Sequence, residues 1–95
     1  MNRKVAIVTG SARGIGRGIA LHLAANGYAV VLNGVSPAPE PPAIGALEQT
    51  KADIEAAGGV AACCRGDVAV PADRQKLIDF TRDTFGRLDL LAVLT

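Results

Sequence analysis

The chain has 95 residues, ten Lys plus Arg, nine Asp plus Glu and a net charge of +1. Domains commonly run to about 100–200 residues, so a single unit over residues 1–95 is expected. Charge this close to neutral, with no basic run and no ladder of aromatics, argues against nucleic acid and for a small-molecule partner.

The charged start, Arg3-Lys4, leads into an apolar run from Val5 to Val8. Gly10 follows well short of a signal peptide's apolar region or of the roughly 20 residues that span a bilayer, so a cytoplasmic protein with no membrane partner is expected. Lys4 to Thr9 reads as a strand buried on both faces, as in a parallel sheet. A helical pattern comes next, with Ile15, Ile19 and Leu23 spaced by four, Ala20 and Ala24 beside them, and Asn26-Gly27 as its stop. Tyr28 to Leu32 is a second strand. Asn33 to Pro42, with four prolines and a glycine, is a loop.

A second helix is expected over Ala43 to Ala57, with Leu47, Lys51 and Ile54 on one face and Gly58-Gly59 after it. The Lys51 stem would lie along that apolar stripe with its charge in water. Val60 to Cys64 is a third strand. Its neighbouring thiols, Cys63 and Cys64, point to opposite faces and suit two small buried hydrophobes better than a disulfide. After a loop over Arg65 to Val70, Pro71 opens a third helix at the position where its missing N–H costs nothing. Leu77, Ile78, Thr81 and Phe85 face inward, Gly86 ends the helix, and Leu88 to Leu94 is a fourth strand.

Strands alternating with helices imply an α/β fold, a partial Rossmann arrangement whose doubly wound parallel sheet is joined by right-handed crossovers. The expected strand order is 3-2-1-4. Ligands in such sheets bind beyond the carboxyl ends of the strands at the switch point, here between strands 1 and 4. The turn Thr9-Gly10-Ser11-Ala12-Arg13-Gly14-Ile15-Gly16 lies there, with spacing G-x-x-x-G-x-G. Glycines allow a sharp turn and a close backbone approach to a pyrophosphate. The helix that follows directs free N–H donors and a partial positive charge at the same anion. Gly16 and Gly18 thin that helix where it crosses the sheet.

T-G-x-x-x-G-I-G after an N-terminal strand resembles the short-chain dehydrogenase/reductase family, and the opening resembles 3-oxoacyl carrier-protein reductases and related carbonyl reductases. The likeness continues at Asp67-Val68 after strand 3 and at Phe85-Gly86-Arg87-Leu88-Asp89 before strand 4. The resemblance implies that Gly10, Ser11, Arg13, Gly14 and Ile15, with Gly16 in the same turn, surround the phosphates and ribose of a dinucleotide. It also implies that Asp67 accepts from the adenine amino group while Val68 lines the ring. A loop carboxylate at the start of the third helix is the alternative for Asp67.

An NAD(H) site takes a carboxylate at the end of strand 2, whereas NADP(H) needs a cation for the 2′-phosphate. The expected acidic position falls at Gly34, and Arg13 matches a basic position of NADP-preferring relatives, with a fork suited to phosphate. NADP(H) is therefore favoured over NAD(H), although Val35 stands where such relatives often carry a second Arg and Arg13 could be a solvated loop charge.

The family's Asn-Asn-Ala-Gly turn would fall at Val93 and Leu94, and its catalytic Ser and Tyr-x-x-x-Lys pair beyond Thr95. Tyr28 is no substitute, since Leu32 and not Lys stands four residues later. His22 is a lone histidine amid a helix, and no metal-ligand cluster is visible. No catalytic or metal-binding residue is expected among the 95. The expected function is the cofactor-binding portion of an NADP(H)-dependent carbonyl reductase or alcohol dehydrogenase, inactive alone. The alternative is a non-catalytic dinucleotide-binding or self-associating module. Strand 4 would leave an apolar edge, to be covered by self-association or by a complementing C-terminal polypeptide.

Overall fold

Short runs of β-branched and small apolar residues become parallel strands in a computed structural model, which describes residues 3–37, 39–41 and 43–94. Two positions of the expected Pro-rich loop, Ala38 and Pro42, lie outside the described residues, as do Met1, Asn2 and Thr95. The elements are β1 (Val5–Val8), α1 (Gly14–Ala25), β2 (Ala29–Leu32), α2 (Ala46–Ala56), β3 (Val60–Cys63), α3 (Pro71–Phe85) and β4 (Leu90–Ala92). The sheet order is β3-β2-β1-β4 and every pairing is parallel, in agreement with the alternating pattern.

All four residues of β1 and all four of β2 are buried, because these are the two inner strands with helices over both faces. On one face Val8, Val30, Leu32 and Ala61 pack against Ala20 and Ala24 of α1 and Leu47 and Ile54 of α2. On the other, Ile7, Val31 and Cys64 meet Leu77 of α3, with Phe80 and Phe85 beside it. Cys63 and Cys64 are free thiols that join the first and second of these clusters respectively, as expected for neighbours on a strand. Burial pushes both thiols up from their ordinary range, so they stay protonated at neutral pH.

The helices depart from expectation in three places. The buried stripe of α1 is Gly16, Ala20 and Ala24. Ile15 does not share it and is 78% exposed, while Ile19 and Leu23 only flank the core. Small residues seat this helix because it comes very close to the turn after β1. Helix α2 starts at Ala46, not Ala43: Gly45 is its extended N-cap. Its buried face carries Thr50 between Leu47 and Ile54, a polar residue not expected there, while Lys51 is half-buried. Thr50 Oγ1 accepts from Arg17 Nη1 at 3.1 Å, and Arg17 Nη2 reaches Asp53 at 2.5 Å, so one arginine ties α1 to α2. Helix α3 behaves as read, with Pro71 in its first turn and Gly86 left-handed at its end.

Two polar clasps hold the sheet at its ends. At the amino ends, Asp89 accepts from the Val5 N–H at 2.8 Å through Oδ2, and its own N–H donates to the Val5 carbonyl at 2.8 Å. At the carboxyl ends, buried Asn33 donates through Nδ2 to the carbonyls of Cys64 (2.9 Å) and Gly66 (3.2 Å). The Asn33 N–H donates to Ser11 Oγ at 3.0 Å, and its carbonyl accepts from the Ser11 N–H at 3.0 Å. One residue therefore joins the tips of β1, β2 and β3.

Arg87 beside Asp89, together with the Val5 N–H, holds the Asp89 carboxyl below its ordinary value of 3.8. A depressed carboxyl stabilises the fold above that value and loses the effect as pH falls through the folded-state value. Asp89→Ala is expected to lower Tm at pH 7, and the gap from the unsubstituted chain should narrow below about pH 4 in a thermal melt series. Asn33→Asp replaces two donors by a carboxylate facing two carbonyls. Urea unfolding at pH 7 should find it less stable by roughly 2–4 kcal/mol. Part of that loss should return at pH 5, because burial raises the new carboxyl's pKa and favours its protonated form.

Candidate functional site

Everything at the carboxyl end of β1 follows from how tightly the chain must turn there. Gly10 (φ +61°) and Gly14 (φ +58°) are both left-handed, a conformation that favours glycine. Gly16 faces the same turn so closely that an added Cβ would stand 2.0 Å from the Gly10 carbonyl oxygen. The three glycines of the motif thus have separate tasks: two bend the chain, and the third lets α1 close on the bend. Arg13 is the N-cap of α1 in extended conformation, with no side-chain cap and no acidic residue in the first turn, so the leading N–H groups stay free for an anion.

The remaining residues of the turn divide by what they touch. Thr9 is buried and extends the β1–β4 pairing: its N–H donates to the Ala92 carbonyl at 3.0 Å, and its Oγ1 accepts from the Leu94 N–H at 2.8 Å. Ser11, fully buried, spends its N–H and hydroxyl on Asn33. Ile15 stands open to solvent beside the glycines. Its exposure has no explanation in the core, which makes it available to a ligand. Leu94, at one of the two positions where the resemblance expects asparagine, brings its side chain against Gly10 and Gly16 from below.

Two recesses flank the tip of β1. The larger, about 450 Å³, lies over the starts of α1 and α2 and includes Gly10, Arg13, Gly34, Val35, Ile44 and Arg65. Its volume is within the range of small-molecule clefts. Among the described residues, two arginines and no Asp or Glu line it. The smaller, about 140 Å³, lies on the α3 side and is bounded by Ile7, Thr9, Val68, Leu77, Leu91 and Val93. The structure therefore brings Gly10 and Arg13 into one recess and places Val68 in the other. Asp67 lines neither. It is an exposed loop carboxylate whose Oδ1 accepts from the Ala69 N–H at 2.9 Å, while its own N–H donates to Asp73 Oδ2.

The residues present fit a dinucleotide. The glycine turn leaves backbone free of side chains, the uncapped helix start offers donors, and the cleft combines cations with apolar walls. Sequence reading missed Asn33, which aims the turn, and Arg65, which lines the cleft. Asn33 stood inside a segment read only as loop, and Arg65 gave no signal beyond its place after a strand. Among the described residues there is no cluster able to hold a metal ion, and no helix is long and apolar enough to cross a membrane.

Known proteins with these features are numerous. The family model for short chain dehydrogenases matches residues 4–93. A 3-oxoacyl-[acyl-carrier-protein] reductase of Synechocystis sp. is 38% identical over 91 residues, which are 96% of this chain and 34% of that protein. The crystal structure of a short chain dehydrogenase from Mycobacterium avium superposes with a TM-score of 0.89 at 37% identity, over 97% of this chain and 34% of that one. A short chain dehydrogenase/reductase from Burkholderia phymatum, solved in complex with NAD, gives a TM-score of 0.82 at 36% identity, over 94% of this chain and 29% of its own. The chain spans about a third of the length of these relatives. Glycine turn, strand order and family match agree, and the chain belongs to the short-chain dehydrogenase/reductase family of oxidoreductases.

Proposed function

We propose that this chain is the cofactor-binding portion, a single unit over residues 1–95, of a cytoplasmic NADP(H)-dependent carbonyl reductase or alcohol dehydrogenase. The observation that carries the reading is the cleft at the tip of β1, walled by the left-handed glycine turn and, among the described residues, by Arg13 and Arg65 with no Asp or Glu. Gly10, Gly14 and Gly16 shape the pyrophosphate turn, with Ser11 fixing it to β2. Arg13 faces the ribose 2′-phosphate, and exposed Ile15 covers the cofactor from the helix side. Asp67 and Val68 serve the adenine, Val68 from its apolar recess. NAD(H) is the weaker ligand, because Gly34 offers no acceptor for a 2′-hydroxyl.

A bound nicotinamide dinucleotide supplies or accepts hydride. Within these 95 residues no Tyr-x-x-x-Lys pair supplies an acid for the substrate oxygen, and half-buried Tyr28 packs against the core. Residues 1–95 alone are therefore expected to bind without turnover.

The alternative is a non-catalytic dinucleotide-binding module that self-associates. The observation favouring it is edge strand β4, with Leu90, Leu91 and Val93 exposed. Exposed apolar edges of this kind invite strand pairing.

Calorimetric titration of the purified chain with NADPH and NADH tests the first reading. Saturable NADPH binding at least tenfold tighter than NADH is expected, reduced roughly tenfold or more by Arg13→Ala, which removes a charge-assisted contact. Gly14→Val should abolish it. Equal affinities would remove the NADP(H) preference, and no heat from a folded chain would leave the motif as a turn only. Sedimentation tests the second reading: a dimer that Leu91→Lys converts to monomer supports pairing through β4, and a monomer at all concentrations rejects it.

A further inference from the structure

The cleft holds a second cation that the glycine turn does not explain. Arg65 follows β3, and its side chain is only 25% exposed. Its Nη1 and Nη2 donate to Oε2 and Oε1 of Glu48 in the first turn of α2, the latter at 2.6 Å. Its Nε donates to the Ser36 carbonyl at 2.7 Å. The pair sits directly over Gly45, where an added Cβ would come within 2.5 Å of Glu48 Oε1 and 3.0 Å of Arg65 Nη2. Arg65 lines the cleft together with Arg13 and Gly34, whereas Glu48 does not reach its wall.

This arrangement does more than staple a loop. A guanidinium has five N–H donors in a planar fork, and three find partners among the described residues. Arg65 lines a cleft to which no Asp or Glu of the described residues contributes, beside the end of β2. That is where a dinucleotide site of this fold meets the ribose 2′-position. Phosphate groups favour arginine because the fork offers paired donors.

We propose that Arg65 is a specificity-determining residue that reads the ribose 2′-phosphate of NADP(H) alongside Arg13, with Glu48 as the counter-ion that orients it. The proposal rests on the NADP(H) reading above. Arg65 and Arg13 reach the cleft from different segments, so the anion is held from the loop after β3 and from the turn after β1. Glu48 fixes the guanidinium in place and at the same time competes with phosphate for it. Removing the Glu48 charge therefore strengthens binding of the phosphorylated cofactor and leaves the other unchanged.

The test is calorimetry with NADPH, NADH and 2′,5′-ADP, each with a thermal melt of the same sample. Arg65→Ala is expected to weaken NADPH and 2′,5′-ADP by roughly 10–100-fold, the scale of a lost charged hydrogen bond, and NADH by less than about threefold. Glu48→Gln should raise NADPH affinity relative to NADH. Arg65→Lys should fall between, since a single ammonium keeps charge without the fork. If the unsubstituted chain prefers NADPH but Arg65→Ala changes both cofactors equally, or neither, Arg65 is a loop staple and the proposal fails alone. If the unsubstituted chain shows no preference, the NADP(H) reading fails and this proposal with it. Should Arg65→Ala not fold, an unchanged NADPH-to-NADH ratio in both Arg65→Lys and Glu48→Gln overturns the assignment.

Discussion

The site depends on the hydrogen bonds that Asn33 makes with its backbone and its carboxamide. Where parallel strands end together, backbone groups leave the ladder and must find partners or bear the cost of burial. Asn33 supplies donors to Cys64 and Gly66 on the β3 side and exchanges backbone hydrogen bonds with Ser11 on the β1 side. With those bonds made, no buried side-chain nitrogen or oxygen among the described residues lacks a partner. The glycine turn is thereby fixed at both ends, by β1 itself and by the tip of β2. Only then do the left-handed angles of Gly10 and Gly14 define a single surface rather than a mobile loop.

A second constraint follows from the first. Because the turn is fixed, α1 can reach the sheet only by passing close to the Gly10 carbonyl, and that approach leaves room for hydrogen alone at position 16. Gly16, Ala20 and Ala24 form one small-residue stripe that continues the close passage along the helix. Larger side chains fall to either side, with Ile19 and Leu23 against the core margin and Ile15 left in solvent. The peripheral ion pairs, Arg17 with Asp53 and Arg87 with Asp89, are partly exposed and modest in effect. They orient elements that the apolar faces already bring together.

How much of this the sequence displays depends on the range of the interaction. Continuous apolar runs disclosed the two inner strands, and Pro71 and Gly86 marked both ends of α3, because those signals are local. The strand order was legible too, since alternation of strand and helix restricts the topology. The start of α2 was not. Gly45 caps the helix in extended conformation, at a place where an added Cβ would meet Pro39, Glu48 and Arg65, neighbours as many as 20 residues away. Periodicity also misplaced Ile15, whose spacing fits the helix although its direction leads away from the sheet. Asn33 and Arg65 are the clearest cases. Their partners lie 17 to 33 residues away, and no spacing rule connects them.

The two faces of the sheet differ in a way that separates the site from the edge. Helices α1 and α2 cover one face over β1, β2 and β3, while among the described residues α3 alone covers the other, leaving the recess beside Leu91 and Val93. The cleft is built at the tips of β1 and β2, the strands with no exposed residue, so losses at β4 reach it through Thr9 and through Leu94 beside the glycine turn. A domain of this size has a small stability margin, and a ligand that binds the folded form alone adds about 2.7 kcal/mol when present at 100 times its Kd. Such a contribution is a large share of the total for a small domain. Under the proposed reading, folding and cofactor binding are therefore coupled: a ligand held against the turn that the polar clasp aims adds to the stability of the folded form.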